Sequence, residues 1–186
     1  MTEFTNEERA RWFLGLSRSC AAEVYASRAP TPAYAERAAL LLAGTAASES
    51  ALVHVRQKKY AYETVAGAWG YWQTERIALV DTVADLKRRH DLRARCAAWL
   101  YDGGPSEGMD AILAMGPTQL CRAAAAWPRL AVMLCRLDYY RESSSIPDGV
   151  DGQAAYWKKY YNTVLGAGTV AGYKAAYARM IAPFVA

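Results

Sequence analysis

The sequence predicts a mainly helical domain with one small β-hairpin. Most of its 186 residues fall into segments whose apolar residues recur at helical spacing. The exception lies between 52 and 74, where apolar and polar residues alternate in places, β-branched and aromatic residues are frequent, and Gly67 and Gly70 interrupt the pattern. Such a stretch indicates a hairpin or an irregular loop rather than a helix.

Helices are expected wherever the helical spacing runs without a break. The predicted helices cover 6–26, 33–50, 77–101 with interruptions, 109–115, a segment opening at Pro117, 151–161 and 169–181. The breaks between them read "APTP", "DGGP", "SSSIPDG" and "NTVLGAG", all rich in proline, glycine or small polar residues. An internal proline, Pro128, should kink or split the segment that opens at Pro117, because proline removes a helical hydrogen bond.

The length suits a single domain over 1–186. We divide it into an N-terminal helix at 1–30, a helix plus hairpin at 33–75 and a helical remainder at 76–186. No internal repeat interrupts this order, and the content of 53% hydrophobic and 22% charged residues is that of a globular protein.

Composition also excludes several classes of protein. Apolar runs fall well short of the roughly 20 residues that a membrane span needs, and the amino-terminal "MTEFTNEERARW" is too acidic and polar for a signal peptide. The net charge of +4 and the clusters "KK" at 58–59 and "KRRH" at 87–90 are a mild basic bias without a nucleic-acid motif. The four cysteines and His54 and His90 lack ligand spacing, so we expect buried thiols and no metal.

Glu49 stands out at the end of the apolar segment "YAERAALLLAGTAASES". On a helix it shares a face with Thr45 and Leu42, so the pattern turns it inward. Desolvation and the negative end of the helix dipole should then both raise its pKa and keep it protonated near neutral pH. The alternative is a helix-end glutamate that turns outward to solvent.

The next informative stretch is "AGAWGYWQ" at 66–73. Its glycines let a backbone approach a ligand closely, its aromatic rings can stack on sugars, and Gln73 adds an amide. Trp69, Tyr71 and Trp72 cannot all face a cleft, because neighbouring strand positions alternate between two faces. The parts are those of a sugar-binding cleft.

These motifs together resemble the soluble lytic transglycosylases of the lysozyme-like superfamily, whose segments read roughly E-S and then G-L-M-Q. Glu49, Ser50, Gly70 and Gln73 take those places. A third family motif, Ala-Tyr-Asn before a glycine-bearing turn, has its counterpart in "YYNTVLGAG", where Tyr161 and Asn162 match. The segments 38–75 and 151–170 are also similar to small virion-associated murein hydrolases of bacteriophages.

The resemblance implies an α+β lysozyme-like fold whose hairpin follows the glutamate helix. It implies cleavage of the MurNAc-GlcNAc β-1,4 bond without a cofactor, Glu49 acting first as acid and then as base. Substrate contacts would come from Ser50, Gly70, Gln73, Tyr161 and Asn162. The implied partners are peptidoglycan glycan strands and other virion proteins, with no nucleic acid, and the implied location is a phage virion, or the host cytoplasm before release, with action at the bacterial cell wall.

Two other functions stay open. A hydrolytic muramidase, such as a lysozyme or endolysin, would need a second carboxylate, for which Glu63 and Glu75 are the candidates. A virion structural protein could keep the fold without activity. Asn162 has its own alternative, a left-handed helix-ending residue. The remaining aromatic residues are interpreted as core or cleft wall, namely Tyr139, Tyr140, Trp157 and Tyr173.

Overall fold

The structure, a computed structural model, describes residues 4–25, 29–54, 67–103, 107–163 and 166–185. Over these ranges the chain is mainly helical with a two-stranded antiparallel sheet, which confirms the predicted fold class. The helices are α1 (Asn6–Glu23), α2 (Pro32–Ser50), α3 (Arg76–Arg88), α4 (His90–Leu100), α5 (Glu107–Ala114), α6 (Pro117–Ala126), α7 (Pro128–Tyr140), α8 (Gly149–Trp157) and α9 (Val170–Met180). A π-helical turn, Lys158–Asn162, continues α8, and a short 3₁₀ turn, Ala182–Phe184, follows α9.

Local chemistry explains where several helices begin and end. Thr5 and Glu8 form a capping box at the start of α1, and the Thr31 side chain caps α2 just before a proline at its first position. The helix predicted over 6–26 ends earlier, at Glu23. Pro128 splits the long predicted helix into α6 and α7 and becomes the first residue of α7, where its missing N–H is not needed.

The structure describes a hairpin at the end of the stretch that predicted it, and residues 55–66 of that stretch lie outside the described residues. Strand β1 (Ala68–Trp69) pairs with strand β2 (Thr74–Glu75), with Ala68 opposite Glu75 and Trp69 opposite Thr74. The four residues between the strands turn through two positive φ angles, 74° at Gly70 and 50° at Gln73. In chain order the hairpin follows α2 and precedes α3, and it carries Gln73 at its tip.

Helix α2 lies against α1, α7, α8 and α9. Its buried face is made largely of alanine, so neighbouring helices come close to its backbone: Ala38, Ala39, Ala43, Ala46 and Ala47. At Gly44 even a methyl group would overlap the hydroxyl of Tyr173 from α9. The close packing fixes the end of α2, and with it Glu49, relative to α8 and α9.

The four cysteines, Cys20, Cys96, Cys121 and Cys135, are all buried and none forms a disulfide bond, as the sequence predicts. Each packs within the hydrophobic core rather than near another cysteine at bonding distance. In the ranges that the structure covers, no helix combines the length and the apolar character needed to cross a membrane.

Candidate active site

Glu49 is the penultimate residue of α2, and the chain turns sharply just after it. Ala51 and Leu52 both adopt left-handed conformations, with φ of 52° and 57°. The carbonyl of Ser50 accepts hydrogen bonds from the backbone N–H groups of Val53 and His54, which closes this turn. Two consecutive non-glycine residues with positive φ are strained, and such strain concentrates at functional sites. The helix thus ends abruptly and leaves Glu49 partly exposed.

Two side chains from the other end of the sequence hold the Glu49 carboxyl group. The indole Nε1 of Trp157 donates to Oε1 of Glu49 at 3.0 Å. The amide Nδ2 of Asn162 lies 3.5 Å from the same oxygen and forms a longer hydrogen bond. Among the described residues, the hydrogen bonds to this carboxyl therefore converge on Oε1 and leave Oε2 as the oxygen that can carry a proton.

The π-helical turn explains how Trp157 and Asn162 meet one carboxyl group. They are five residues apart, a spacing that points in clearly different directions on an α-helix of 3.6 residues per turn. A π-helix closes its hydrogen bonds between residues five apart, so such residues face the same way. The change from α8 to the π-helical turn at Lys158 is thus what brings both donors to Glu49.

Burial raises the pKa of Glu49 to about 7, which confirms the predicted direction. The hydrogen bonds from Trp157 and Asn162 and the charge of Lys158 act in the opposite sense, because they favour the carboxylate. The charge of Glu75 adds to the rise. A carboxyl group with this pKa can give a proton and take one back near neutral pH, as an acid and base catalyst must.

Glu75, the last residue of β2, is exposed and close enough for its charge to act on Glu49. Of the two candidate second carboxylates, Glu75 is the one that lies among the described residues. Glu63 lies outside the described residues, as does the basic pair at 58–59.

Tyr161 ties the π-helical turn to the hairpin. Its hydroxyl donates to the carbonyl of Trp72 at 2.8 Å and lies 2.7 Å from Oγ1 of Thr74. Its ring stacks on Tyr139, whose hydroxyl is 2.8 Å from Oγ1 of Thr45 on the Glu49 face of α2. Burial raises the pKa of both phenols well above the usual range. Tyr161 therefore connects the π-helical turn to the hairpin and to α7.

Two more of the predicted substrate-binding residues have internal partners, Ser50 and Gln73. Ser50 is buried and its hydroxyl donates to the carbonyl of Ala46, so it does not face an open cleft. Gln73 is buried and its amide nitrogen donates to the carbonyls of His54 and Gly70, which braces the hairpin tip. This leaves the amide oxygen of Gln73 as the atom with which it could contact a glycan.

Gly70 makes a close approach, but to the protein rather than to a ligand. A Cβ there would lie 2.9 Å from the carbonyl oxygen of Ala124 and 3.1 Å from Cβ of Ala131. The absent side chain lets the hairpin pack on α6 and α7, which is a structural reason for glycine at this position.

The interpretation of the hairpin aromatics as sugar-stacking surface is wrong for both tryptophans. Trp72 is fully buried and donates its indole hydrogen to the carbonyl of Leu42, while Trp69 is 5% exposed. Tyr71 packs edge-on against Phe13 of α1. The rings belong to the core because α1, α2 and the hairpin pack around them.

Trp157 is the residue of the candidate site that sequence reasoning missed. It is buried, in keeping with its interpretation as core or cleft wall, but it also contacts Glu49 directly. Tyr139 and Tyr173 do belong to the core. The alternative for Asn162 is wrong, because the left-handed position belongs to the next residue, Thr163, with φ of 55°. Within the described ranges, no group of three or more His, Cys, Asp or Glu residues could hold a metal.

Comparison of the chain with protein-family models, with curated proteins and with solved structures finds no match in any of the three. What the protein does is therefore inferred from the chemistry of its own residues.

Proposed function

We propose that the protein cleaves peptidoglycan glycan strands at the MurNAc-GlcNAc β-1,4 bond, as a lytic transglycosylase with a lysozyme-like fold. The observation that carries the proposal is Glu49: a partly exposed carboxyl group, with a pKa of about 7, held on one oxygen by Trp157 and Asn162. The order of the motifs around Glu49, Gln73 and Asn162 supports the same assignment. Glycosidic cleavage needs such a carboxyl group as general acid.

The reaction would use one carboxyl group twice. Protonated Glu49 gives its proton to the glycosidic oxygen, the bond from that oxygen to C1 of MurNAc breaks, and positive charge develops at C1. The C6 hydroxyl of the same sugar then attacks C1 and gives its proton to the Glu49 carboxylate. The product is a 1,6-anhydro sugar, and Glu49 returns to its acid form.

A hydrolytic muramidase is the second candidate, and Glu75 is the observation that favours it. A carboxylate next to the acid can activate water or stabilise the charge at C1. Its exposure and its electrostatic effect on Glu49 make Glu75 available for this role. The third candidate is a virion protein that keeps the fold without cleaving glycans.

The biological setting follows from the resemblance to small bacteriophage murein hydrolases. In this proposal the protein is carried in a virion, or is made in the host cytoplasm and released, and it acts at the bacterial cell wall. Its partners are glycan strands and other virion proteins.

The test is incubation of the protein with purified peptidoglycan, followed by mass spectrometry of the released muropeptides. Wild type should release anhydro-muramic products, and Glu49→Gln, which keeps the shape but cannot donate a carboxyl proton, should release none. Reducing-end products from wild type, lost in Glu75→Gln, would establish the hydrolytic muramidase instead. No release by wild type from peptidoglycans of several types would favour the structural protein.

The matched control is Asp138→Asn. Asp138 is also a largely buried carboxyl group, with a pKa raised to about 6 by burial, but it is paired with Arg141, the residue that follows α7. Its replacement should leave cleavage unchanged, and a loss equal to that of Glu49→Gln would contradict a specific role for Glu49.

A further inference from the structure

Lys158, the first residue of the π-helical turn, makes two hydrogen bonds beside the site. Its Nζ donates to Oδ1 of Asn162 at 2.9 Å and to the carbonyl oxygen of Gly166 at 2.9 Å. The side chain is partly buried, so these contacts are made in surroundings only partly open to water. Because an ammonium group only donates hydrogen bonds, it selects the oxygen side of each partner.

This contact determines which way the Asn162 amide points. With Oδ1 bonded to the ammonium group, the NH₂ group turns toward Glu49, where Nδ2 lies 3.5 Å from Oε1. A flipped amide would place its NH₂ group against the ammonium donors and its oxygen against a carboxyl oxygen, losing both favourable contacts. Lys158 thus specifies a donor, not an acceptor, at the carboxyl group of Glu49.

Lys158 bonds a turn at residues 166–168, the glycine turn, which also packs against the residues that contact Glu49. A Cβ at Gly166 would overlap the backbone oxygen and Oδ1 of Asn162, and one at Gly168 would overlap the Trp157 ring. The turn therefore lies directly against both donors of Glu49. The Lys158 bond to the Gly166 carbonyl fastens the π-helical turn to this glycine turn.

We propose that Lys158 is a positioning residue of the site: it orients the Asn162 amide toward Glu49 and holds the glycine turn against Trp157 and Asn162. The inference rests on the proposed function of Glu49 as acid and base. Lys158 would act in the step after proton donation, when Glu49 is a carboxylate. A fixed amide donor and a nearby ammonium charge both stabilise that state.

Several other titratable groups act on Glu49 or are acted on by it. They are Glu75 from β2, Cys135 and Tyr139 from α7, and Tyr161 from the π-helical turn. The two α7 groups and Tyr161 stay neutral near pH 7, because burial holds their pKa values well above the usual range. Among the described groups that act on the pKa of Glu49, Lys158 is the cation and Glu75 the anion.

The test compares Lys158→Met, which removes the charge and the donors, with Lys158→Gln, which keeps an amide donor without charge, and Lys158→Arg, which keeps both. Lys159→Met is the matched control, because Lys159 is exposed and lies over the Tyr160 ring instead of bonding Asn162. The first readout is the titration of Glu49 in protein labelled with ¹³C at glutamate side chains, assigned with Glu49→Gln. The second is the pH profile of murein cleavage.

We expect Lys158→Met to raise the pKa of Glu49 above its wild-type value of about 7 and to slow cleavage by about tenfold. Lys158→Gln should recover part of the rate, and Lys158→Arg most of it. An unchanged Glu49 titration in Lys158→Met, or an equal shift in Lys159→Met, would overturn the inference. The titration needs no substrate, so it tests Lys158 even if wild type cleaves no murein, an outcome that would count against the proposed function alone.

Discussion

The indole nitrogen of Trp157 donates a hydrogen bond to Oε1 of Glu49 over 3.0 Å and joins two residues that are 108 positions apart in the chain. Trp157 is almost fully buried, while Glu49 reaches the surface in part. The contact therefore lets a rigid core residue orient a carboxyl group that solvent or a ligand can reach. It also connects the end of α2 to the end of α8, which is where the chain brings its three motifs together.

The stability of the protein should depend on pH through Glu49. Its pKa rises from 4.5 to about 7 on folding, so the folded state binds more protons than the unfolded state between these values. Stability from this group is therefore complete below pH 4.5 and declines as the pH rises to about 7. The shift corresponds to about 3 kcal/mol of free energy of unfolding. The measurement is urea denaturation of wild type and Glu49→Gln across this pH range. As the pH rises, the free energy of unfolding of wild type should fall relative to that of the variant.

Asp138 provides the comparison for that experiment. Its pKa is raised from 3.8 to about 6, so its contribution to the decline should end about one pH unit lower. Asp138→Asn should therefore remove only the part of the decline in free energy of unfolding that lies between about pH 3.8 and pH 6. If both variants keep the full wild-type slope, neither group has the raised pKa assigned to it.

Cleavage should fall as the pH rises through about 7, because the acid form of Glu49 is then lost. Glu75→Gln removes a negative charge that raises the pKa of Glu49, so this fall should move to lower pH. The measurement is kcat/KM on a soluble glycan oligomer from pH 4 to 9. A fall that stays in place in Glu75→Gln would mean that Glu75 does not act on Glu49, and a complete loss of activity would assign Glu75 a direct catalytic role.

Replacing Trp157 with phenylalanine should loosen the Glu49 carboxyl group while keeping an aromatic ring in the core. The lost hydrogen bond lowers the pKa of Glu49 in wild type, so the variant should have a higher pKa and a fall in activity displaced to higher pH. The lost bond to a group that ionises should also reduce the free energy of unfolding by about 1–3 kcal/mol. Titration of Glu49 and urea denaturation measure the two effects.

Trp99→Phe is the control for the loss of an indole hydrogen bond. The Nε1 of Trp99 donates to Oγ of Ser19 at 2.9 Å and not to Glu49. The variant should lose stability without any change in the pH profile. Equal displacement of the profile in both tryptophan variants would show that general destabilisation, not the Glu49 contact, is responsible.

Gly70→Ala should reduce the free energy of unfolding by about 2–4 kcal/mol, since it combines a positive φ of 74° with a Cβ placed 2.9 Å from the carbonyl oxygen of Ala124. Gly103 has a similar φ of 81° but open space around its Cβ position. Gly103→Ala should therefore lose only about 1 kcal/mol. Chemical denaturation of both variants separates backbone strain from packing, and equal losses would contradict a packing role for Gly70.

Much of the fold could be predicted because local signals determine it. Pro128 lacks the N–H that a continuous helix needs, so the break between α6 and α7 follows from one residue. The inward face of Glu49 follows from its spacing to Thr45 and Leu42, both of which are buried. These features depend on a few neighbouring residues, and the sequence shows them directly.

The rest depends on contacts between distant segments. Trp157 could not be placed beside Glu49 because a π-helical turn leaves no recognised spacing in the sequence, and an α-helical spacing separates it from Asn162. Trp69 and Trp72 look suited to sugars by residue type, but the packing of α1 and α2 around the hairpin buries them. Ser50 likewise follows Glu49 in the chain but turns its hydroxyl back to Ala46.

The burial of Cys20, Cys96 and Cys135 has a consequence for the redox chemistry of the protein. Burial raises the pKa of Cys96 to about 12 and raises those of Cys20 and Cys135 as well, so these thiols hardly form the thiolate that disulfide exchange requires. At neutral pH these three thiols are therefore poor nucleophiles toward a disulfide or an oxidant. We expect them to stay reduced if the protein passes from a reducing compartment to an oxidising one.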